Sequence, residues 1–198
     1  MKKIISSICL CALALLSFSC DETDAASTVV PNVEATMERK FKYLETTVDE
    51  KITYTLGLSE MHLLSDDDKV EIMFAPTRPA GKDALVFKIK KSDFANGYIG
   101  TYQIRSILNG KSGKSDLTYY HYYNKTGSTA LFSTGNSMEG NIVIKTYDAA
   151  TGLASGSFEV NIKNVLDPAS NEINPIKPRK CDIVLTGEFN NLKLNRQN

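Results

Sequence analysis

The 198-residue chain has no tryptophan and only two histidines, His62 and His121; three of its four cysteines, Cys9, Cys11 and Cys20, fall within the first twenty residues. Cys181 is then the one thiol left in the body of the chain. A disulfide framework is excluded for the body, and two His with one Cys make a poor zinc set. Charge of one sign is also missing. Lys and Arg number 23 and so do Asp and Glu, so there is no electrostatic case for nucleic acid as a partner. The longest apolar run, Ile4 to Phe18, is interrupted by Ser6, Ser7 and Ser17 and falls short of the roughly 20 residues that a spanning helix needs. No cofactor motif stands in the chain. A Gly-x-Ser-x-Gly elbow is lacking, and Gly110-Lys111-Ser112-Gly113 has neither the P-loop spacing nor a strand-to-helix setting.

What is present at the start is a basic Met1-Lys2-Lys3, the apolar run, and then small residues before a polar stretch, the layout of an export signal that is removed from the mature protein. Ser19-Cys20 follows the apolar run directly. Leu15-Leu16-Ser17-Phe18-Ser19-Cys20 resembles the lipobox of bacterial lipoprotein signals, with Leu16 one residue further from the cysteine than usual and Phe18 bulky for its place. The acidic residues just behind it, Asp21, Glu22 and Asp24, are similar to those of Bacteroidetes surface lipoproteins. The resemblance implies cleavage before Cys20, a lipid on that cysteine, and anchoring at the outer membrane, with exposure on the cell surface. The alternative is ordinary signal-peptidase cleavage of a periplasmic or secreted protein. Loss of residues 1–19 removes Lys2 and Lys3, leaving 21 basic residues against 23 acidic ones. Several acyl chains, at about 0.8 kcal/mol per buried CH₂, hold a protein on a membrane without a spanning helix.

The expected organisation is a signal peptide over 1–19, the lipidated cysteine and a polar tether over 20–32, and one β-rich domain over 33–198. Val33, Met37, Phe41 and Leu44 fall at helical spacing behind Asn32, a good N-cap, which predicts a short helix; Lys40-Phe41-Lys42-Tyr43 also alternates, so a strand competes. Beyond Glu50 the period is two. Ile52, Tyr54, Leu56 and Leu58 alternate with polar or small residues, as do Val70, Ile72 and Phe74, and Leu85, Phe87 and Ile89. Ser65 to Asp68, Pro76 to Gly81 and Asn96-Gly97 read as turns. Further strands are predicted over 98–108, 117–124, 129–134, 141–148, 153–165 and 181–194. About nine strands at such spacing favour an antiparallel β-sandwich, with an up-and-down, lipocalin-like β-barrel as the alternative. In the last strand Ile183, Leu185 and Phe189 share one parity while Leu192 and Leu194 have the other. A bulge at Asn190-Asn191 restores the second pair to the core.

Gly156-Ser157-Phe158 and Gly187-Glu188-Phe189 repeat a Gly-x-aromatic pattern, with Gly100-Thr101-Tyr102 a weaker third copy. A glycine two residues before an inward ring leaves room for the ring or bends the strand. Together with Ile142 to Asp148, the first two are similar to the ending of a group of small Bacteroidetes lipoprotein domains of unknown function, a resemblance over roughly the last third of the chain. It implies an all-β envelope domain and carries over no catalytic residue.

Tyr119, Tyr120, His121, Tyr122 and Tyr123 are the densest cluster. On a strand, Tyr119, His121 and Tyr123 take one side and Tyr120 and Tyr122 the other. Such rings suit a stacking platform for a glycan or a protein partner, or they are simply good strand residues. Asp66-Asp67-Asp68 lacks the glycine and convergent geometry of a calcium loop and reads as a solvated turn, Asp148 likewise as a turn residue, and Cys181 as a small buried residue. The expected function is therefore non-enzymatic: a cell-envelope lipoprotein that binds a glycan, a peptide or an envelope protein, needing no metal and no cofactor. A barrel holding a small apolar ligand and a hydrolase using carboxylates from separate strands are the alternatives.

Overall fold

The computed structural model describes residues 32–46, 49–63, 68–76, 82–94, 97–122, 127–169 and 179–196. The expected signal peptide and Cys20 lie outside these residues, as do Tyr123, Asp66, Asp67 and Asn96; the backbone of Tyr54, Leu56, Leu58 and His62 is described but their side chains are not. Pro31 to Asn198 forms one compact unit.

Twelve strands follow in order: β1 Glu34–Tyr43, β2 Glu50–Leu63, β3 Lys69–Pro76, β4 Asp83–Lys90, β5 Gly100–Gln103, β6 Arg105–Ser106, β7 Lys111–Ser112, β8 Ser115–Tyr122, β9 Ser128–Phe132, β10 Met138–Asp148, β11 Leu153–Leu166 and β12 Lys180–Arg196. Ten form a continuous ribbon in the order β5-β10-β11-β12-β1-β2-β3-β4-β8-β9, and β6 and β7 make a small hairpin. The pairings within the ribbon order are antiparallel. The ribbon doubles over at β2, whose first half pairs with β1 and whose second half, past a register shift between Leu56 and Leu58, pairs with β3. Sheet A (β5, β10, β11, β12, β1) thus lies over sheet B (β3, β4, β8, β9). The end of β12 leaves β1 and runs parallel to β2 over Leu194–Arg196. β5 and β9 remain at opposite edges, unpaired with each other, so the sheet is not a closed barrel. The antiparallel sandwich is the fold, and the lipocalin-like alternative is corrected by these two open edges.

The space a barrel would leave for a ligand is filled by rings. Phe74 of β3 packs against Phe158 of β11 and Phe189 of β12, with centroids 4.8 and 5.3 Å away, and Phe87 of β4 meets Phe158 at 5.8 Å. Burying rings of this size contributes roughly 2–3 kcal/mol each. The Gly-x-Phe repeat has its explanation here. β11 and β12 pair with Phe158 opposite Gly187 and Gly156 opposite Phe189, so each glycine lies beneath the other strand's ring. A Cβ on Gly187 would come within 2.2 Å of the Phe158 ring, and one on Gly156 within 2.7 Å of the Phe189 ring and 1.9 Å of the Val143 carbonyl oxygen.

The predicted N-terminal helix is a strand. Ala35, Met37, Arg39, Phe41 and Tyr43 point inward from β1, while Val33 and Leu44, which the helical spacing would bury, are exposed. A buried arginine at the centre of the inward series breaks the apolar alternation and leaves Met37 and Phe41 spaced by four. The bulge in β12 is where the parity change puts it. Between the pairs Leu192–Ala154 and Phe189–Gly156, β12 has one extra residue, Asn191 has φ 58°, and Leu192 is fully buried. Asparagine tolerates this left-handed backbone better than most residues. The predicted strand over 98–108 is divided: β5 ends at Gln103, and Ile107 and Leu108 are exposed at the turn of the β6–β7 hairpin.

Candidate functional site

Alternation along β8 divides the tyrosine cluster. Ser115, Leu117, Tyr119 and His121 are buried between the sheets, and Asp116, Thr118, Tyr120 and Tyr122 point away from the core. The inward half builds a polar knot. Tyr119 Oη donates to Asp83 Oδ1 at 2.5 Å, and His121 Nδ1 donates to the same oxygen at 3.0 Å. Arg39 Nη1 lies 3.5 Å from Asp83 Oδ2, its Nη2 pairs with Glu50, and its guanidinium rests 4.0 Å from the centre of the Phe41 ring. Asp83 and His121 are at most 2% exposed. Burial alone would raise the Asp83 pKa; the hydrogen bond and charge of His121, the charge of Arg39 and the Tyr119 hydroxyl more than offset it and hold the carboxyl below its ordinary 3.8.

This knot brings a histidine and a carboxylate together in the core. The Tyr119 hydroxyl and His121 Nδ1 both meet one carboxylate oxygen, and His121 Nε2, where a triad would seat its nucleophile, has no hydrogen-bond partner among the described residues. The neighbouring polar groups are held in the same way. Tyr43 donates to Glu50 Oε2 at 3.4 Å and stacks under Arg179, which pairs with the buried Asp167 at 3.0 Å. Burial and then the Asp167 and Glu50 charges push the Tyr43 phenol up to about 12. Cys181, fully buried opposite Tyr43, is pushed up to about 12 by burial and by Asp167 and Asp182. A thiol in that state is a packing residue rather than a nucleophile.

The outward half of β8 builds a surface. Tyr120 and Tyr122 are partly exposed, with centroids 6.0 Å apart and ring planes within 16° of parallel. Register places Ala130 opposite Tyr120 and Phe132 opposite Thr118 on β9, and Ala84 and Val86 on β4. Phe132, diagonal to Tyr120 on the same face, is 48% exposed. Met73 of β3, opposite Val86, continues this row. Ala84 and Val86 are themselves buried, so what this side of sheet B offers to solvent is the strip of rings of Tyr120, Tyr122 and Phe132.

Sheet A faces solvent differently. Thr36, Glu38, Thr53, Glu159, Thr186 and Glu188 line a shallow groove of about 450 Å³. Glu38 is held by Lys51 at 2.8 Å. Glu38, Glu159 and Glu188 come from separate strands and sit among hydroxyls in this groove.

Other expectations resolve locally. Asp148 accepts from the Ala150 amide at 2.9 Å and from the Thr151 hydroxyl at 2.7 Å, an Asx turn that lowers its pKa. Asp68 is exposed and its carbonyl accepts from the Lys91 amide at 2.8 Å. The sequence reading missed Arg39, Glu50 and Asp83. Asp83 carried a signal, since it shares the parity of Leu85, Phe87 and Ile89 and so had to point inward. A second aromatic group was also missed: Phe94, Tyr98, Tyr102 and Tyr147 pack at 4.5–5.0 Å across the β5 edge, closing that end of the core. Compared with known proteins, the chain matches no family model, no curated protein and no solved structure.

Proposed function

We propose that this chain is a non-enzymatic lipoprotein of the bacterial cell envelope, anchored through Cys20, whose β-sandwich binds a glycan on the outward face of sheet B. One observation carries the reading: Tyr120 and Tyr122 stand side by side, with nearly parallel, stacked rings that are partly exposed, on a strand next to the sheet edge. Antiparallel sheets with one solvated face ordinarily place polar residues there. Rings kept partly in water on such a face suit the apolar C–H faces of sugars. The buried knot of Asp83 and His121 supports the non-enzymatic reading, because its base holds no nucleophile.

Two experiments test the two halves. Titration calorimetry of the full chain in non-ionic detergent against a panel of neutral and acidic hexasaccharides is expected to find a binder that the Tyr120→Ala/Tyr122→Ala variant loses by at least tenfold, with its circular dichroism unchanged. Binding by no member of the panel, or equal binding by the variant, rejects the glycan. Metabolic labelling with a lipid precursor is expected to mark the wild type and not Cys20→Ala. Label absent from both rejects the anchor.

A further inference from the structure

The strip of sheet B does not end in plain solvent. Continuing along β4 and β8 past Val86 and Thr118, the next outward row holds Glu71, Lys88 and Asp116, and beyond it opens a groove of about 340 Å³. Its floor depends on Gly113. A Cβ there would sit 2.2 Å from the Gln103 carbonyl oxygen and 2.5 Å from Ile104 backbone atoms, so the chain leaving β7 lies directly on the end of β5. Four cations line the groove, Lys88, Lys90, Arg105 and Lys114, against two carboxylates, Asp93 and Asp116; Ser92 and Ser112 add hydroxyls.

The cations are not equally available. Arg105 forks onto Asp116 with bonds of 2.8 and 2.6 Å, and Lys88 is held by Glu71 at 2.9 Å. These pairs fix the walls. Lys114 reaches Asp93 only at 4.0 Å with its side chain 57% exposed, and Lys90, exposed at the end of β4, has no ion-pair partner among the described residues. Two ammonium groups and two hydroxyls therefore line a polar hollow in which Asp116 is taken up by Arg105 and Asp93 is met only loosely by Lys114. Along the strand, Ala84 beside Tyr120 and Lys88 at the groove are four residues apart, about 14 Å, a span that one extended oligosaccharide covers.

We infer that the glycan bound on this face is anionic, its sugar rings lying on Tyr120 and Tyr122 and a carboxylate or sulfate group of a neighbouring residue held by Lys90 and Lys114. The inference rests on the glycan reading above and adds the charge class to it. Lysine ammoniums act as point charges that accept either anion without a fixed fork, so carboxylate and sulfate share one chemistry here. At an exposed groove the attraction is screened by salt.

The test uses the full chain in non-ionic detergent, with three probes: hexameric oligogalacturonate, the same hexamer fully methyl-esterified, and a chondroitin sulfate hexasaccharide. The wild type is expected to bind at least one acidic probe at least tenfold more tightly than the ester, and the preference is expected to shrink at least threefold between 0.05 and 0.5 M salt. In Lys90→Ala/Lys114→Ala the preference falls to within twofold while the ester binds as before. In Tyr120→Ala/Tyr122→Ala binding of both forms weakens together. Chondroitin sulfate that binds more tightly and loses that advantage on desulfation assigns the group as sulfate; otherwise it is a carboxylate. An ester that binds the wild type as well as both acids overturns the anionic assignment and leaves the glycan reading standing. A preference for acid that survives loss of both lysines also overturns it. Failure of all three probes to bind, with a neutral hexasaccharide bound in the panel above, again removes only the charge; failure of every saccharide removes both.

Discussion

Sheet A meets the core through glycines and phenylalanines that cover one another, and faces solvent with threonine, asparagine and glutamate. Sheet B meets the core partly through a buried carboxylate tied to arginine, histidine and tyrosine, and faces solvent with tyrosine and phenylalanine. Apart from Arg39 on β1, the first sheet is what burial alone would select. The second departs from that rule on both sides at once, and the departures differ in kind. Inside, Asp83 is met by Arg39, His121 and Tyr119, which is how its charge is tolerated out of water. Outside, the rings of Tyr120 and Tyr122 stack on each other and stay partly exposed.

The largest effect that would sharpen this contrast is expected inside sheet B. Asp83→Ala leaves Arg39 buried beside an empty site and is expected to cost about 3–5 kcal/mol, read as a shift in the urea midpoint. The same group predicts a pH dependence. Its native pKa lies below the ordinary value, so its stabilisation is complete above about pH 4 and is lost as pH falls through the native value. The stability gap between wild type and Asp83→Ala should therefore narrow below about pH 4. A gap that stays constant down to pH 2 would assign the effect to packing instead.

Sheet A is expected to break next. Gly187→Ala drives a methyl into the Phe158 ring and the Thr36 carbonyl oxygen, which would sit 2.4 Å away, at a cost of about 2–3 kcal/mol. Gly135→Ala, with nothing within 4 Å, is the matched control and should be near neutral. If both variants unfold alike, the reciprocal glycine–ring pairing is not what the repeat is for. The smallest stability effects belong to the two outer faces. Tyr120→Ala/Tyr122→Ala is expected to change stability by no more than about 1 kcal/mol while removing binding, and Glu188→Ala to stay within about 0.5 kcal/mol and leave binding intact. Reversal of that last pair, with Glu188 needed and the tyrosines dispensable, would move the site to the groove of sheet A.

Much of the fold was legible because period two is a local property. β3, β4, β8 and β11 can be read strand by strand from Val70, Leu85, Leu117 and Phe158 with their alternating neighbours, and the odd parity of Leu192 located the bulge before any partner strand was known. β1 was misread because Arg39 sits inward among apolar residues, and an arginine's burial depends on Glu50 and Asp83, which come from other strands. The candidate surface was half legible. Parity separated Tyr119 and His121 from Tyr120 and Tyr122, but which pair faced water depended on which side the other sheet covered. Phe132 joined the strip only through the β8–β9 register.

From its residues alone this chain is legible as an alternating β protein, since periodicity is written locally. Tertiary structure alone decided that the sheet doubles over rather than closing, that Phe158 and Gly187 are partners, and that Lys90 and Lys114 lie on the same face as the exposed tyrosines. Those facts depend on pairing between residues distant along the chain, and the energy that selects such pairs comes from burying surfaces that no single segment contains.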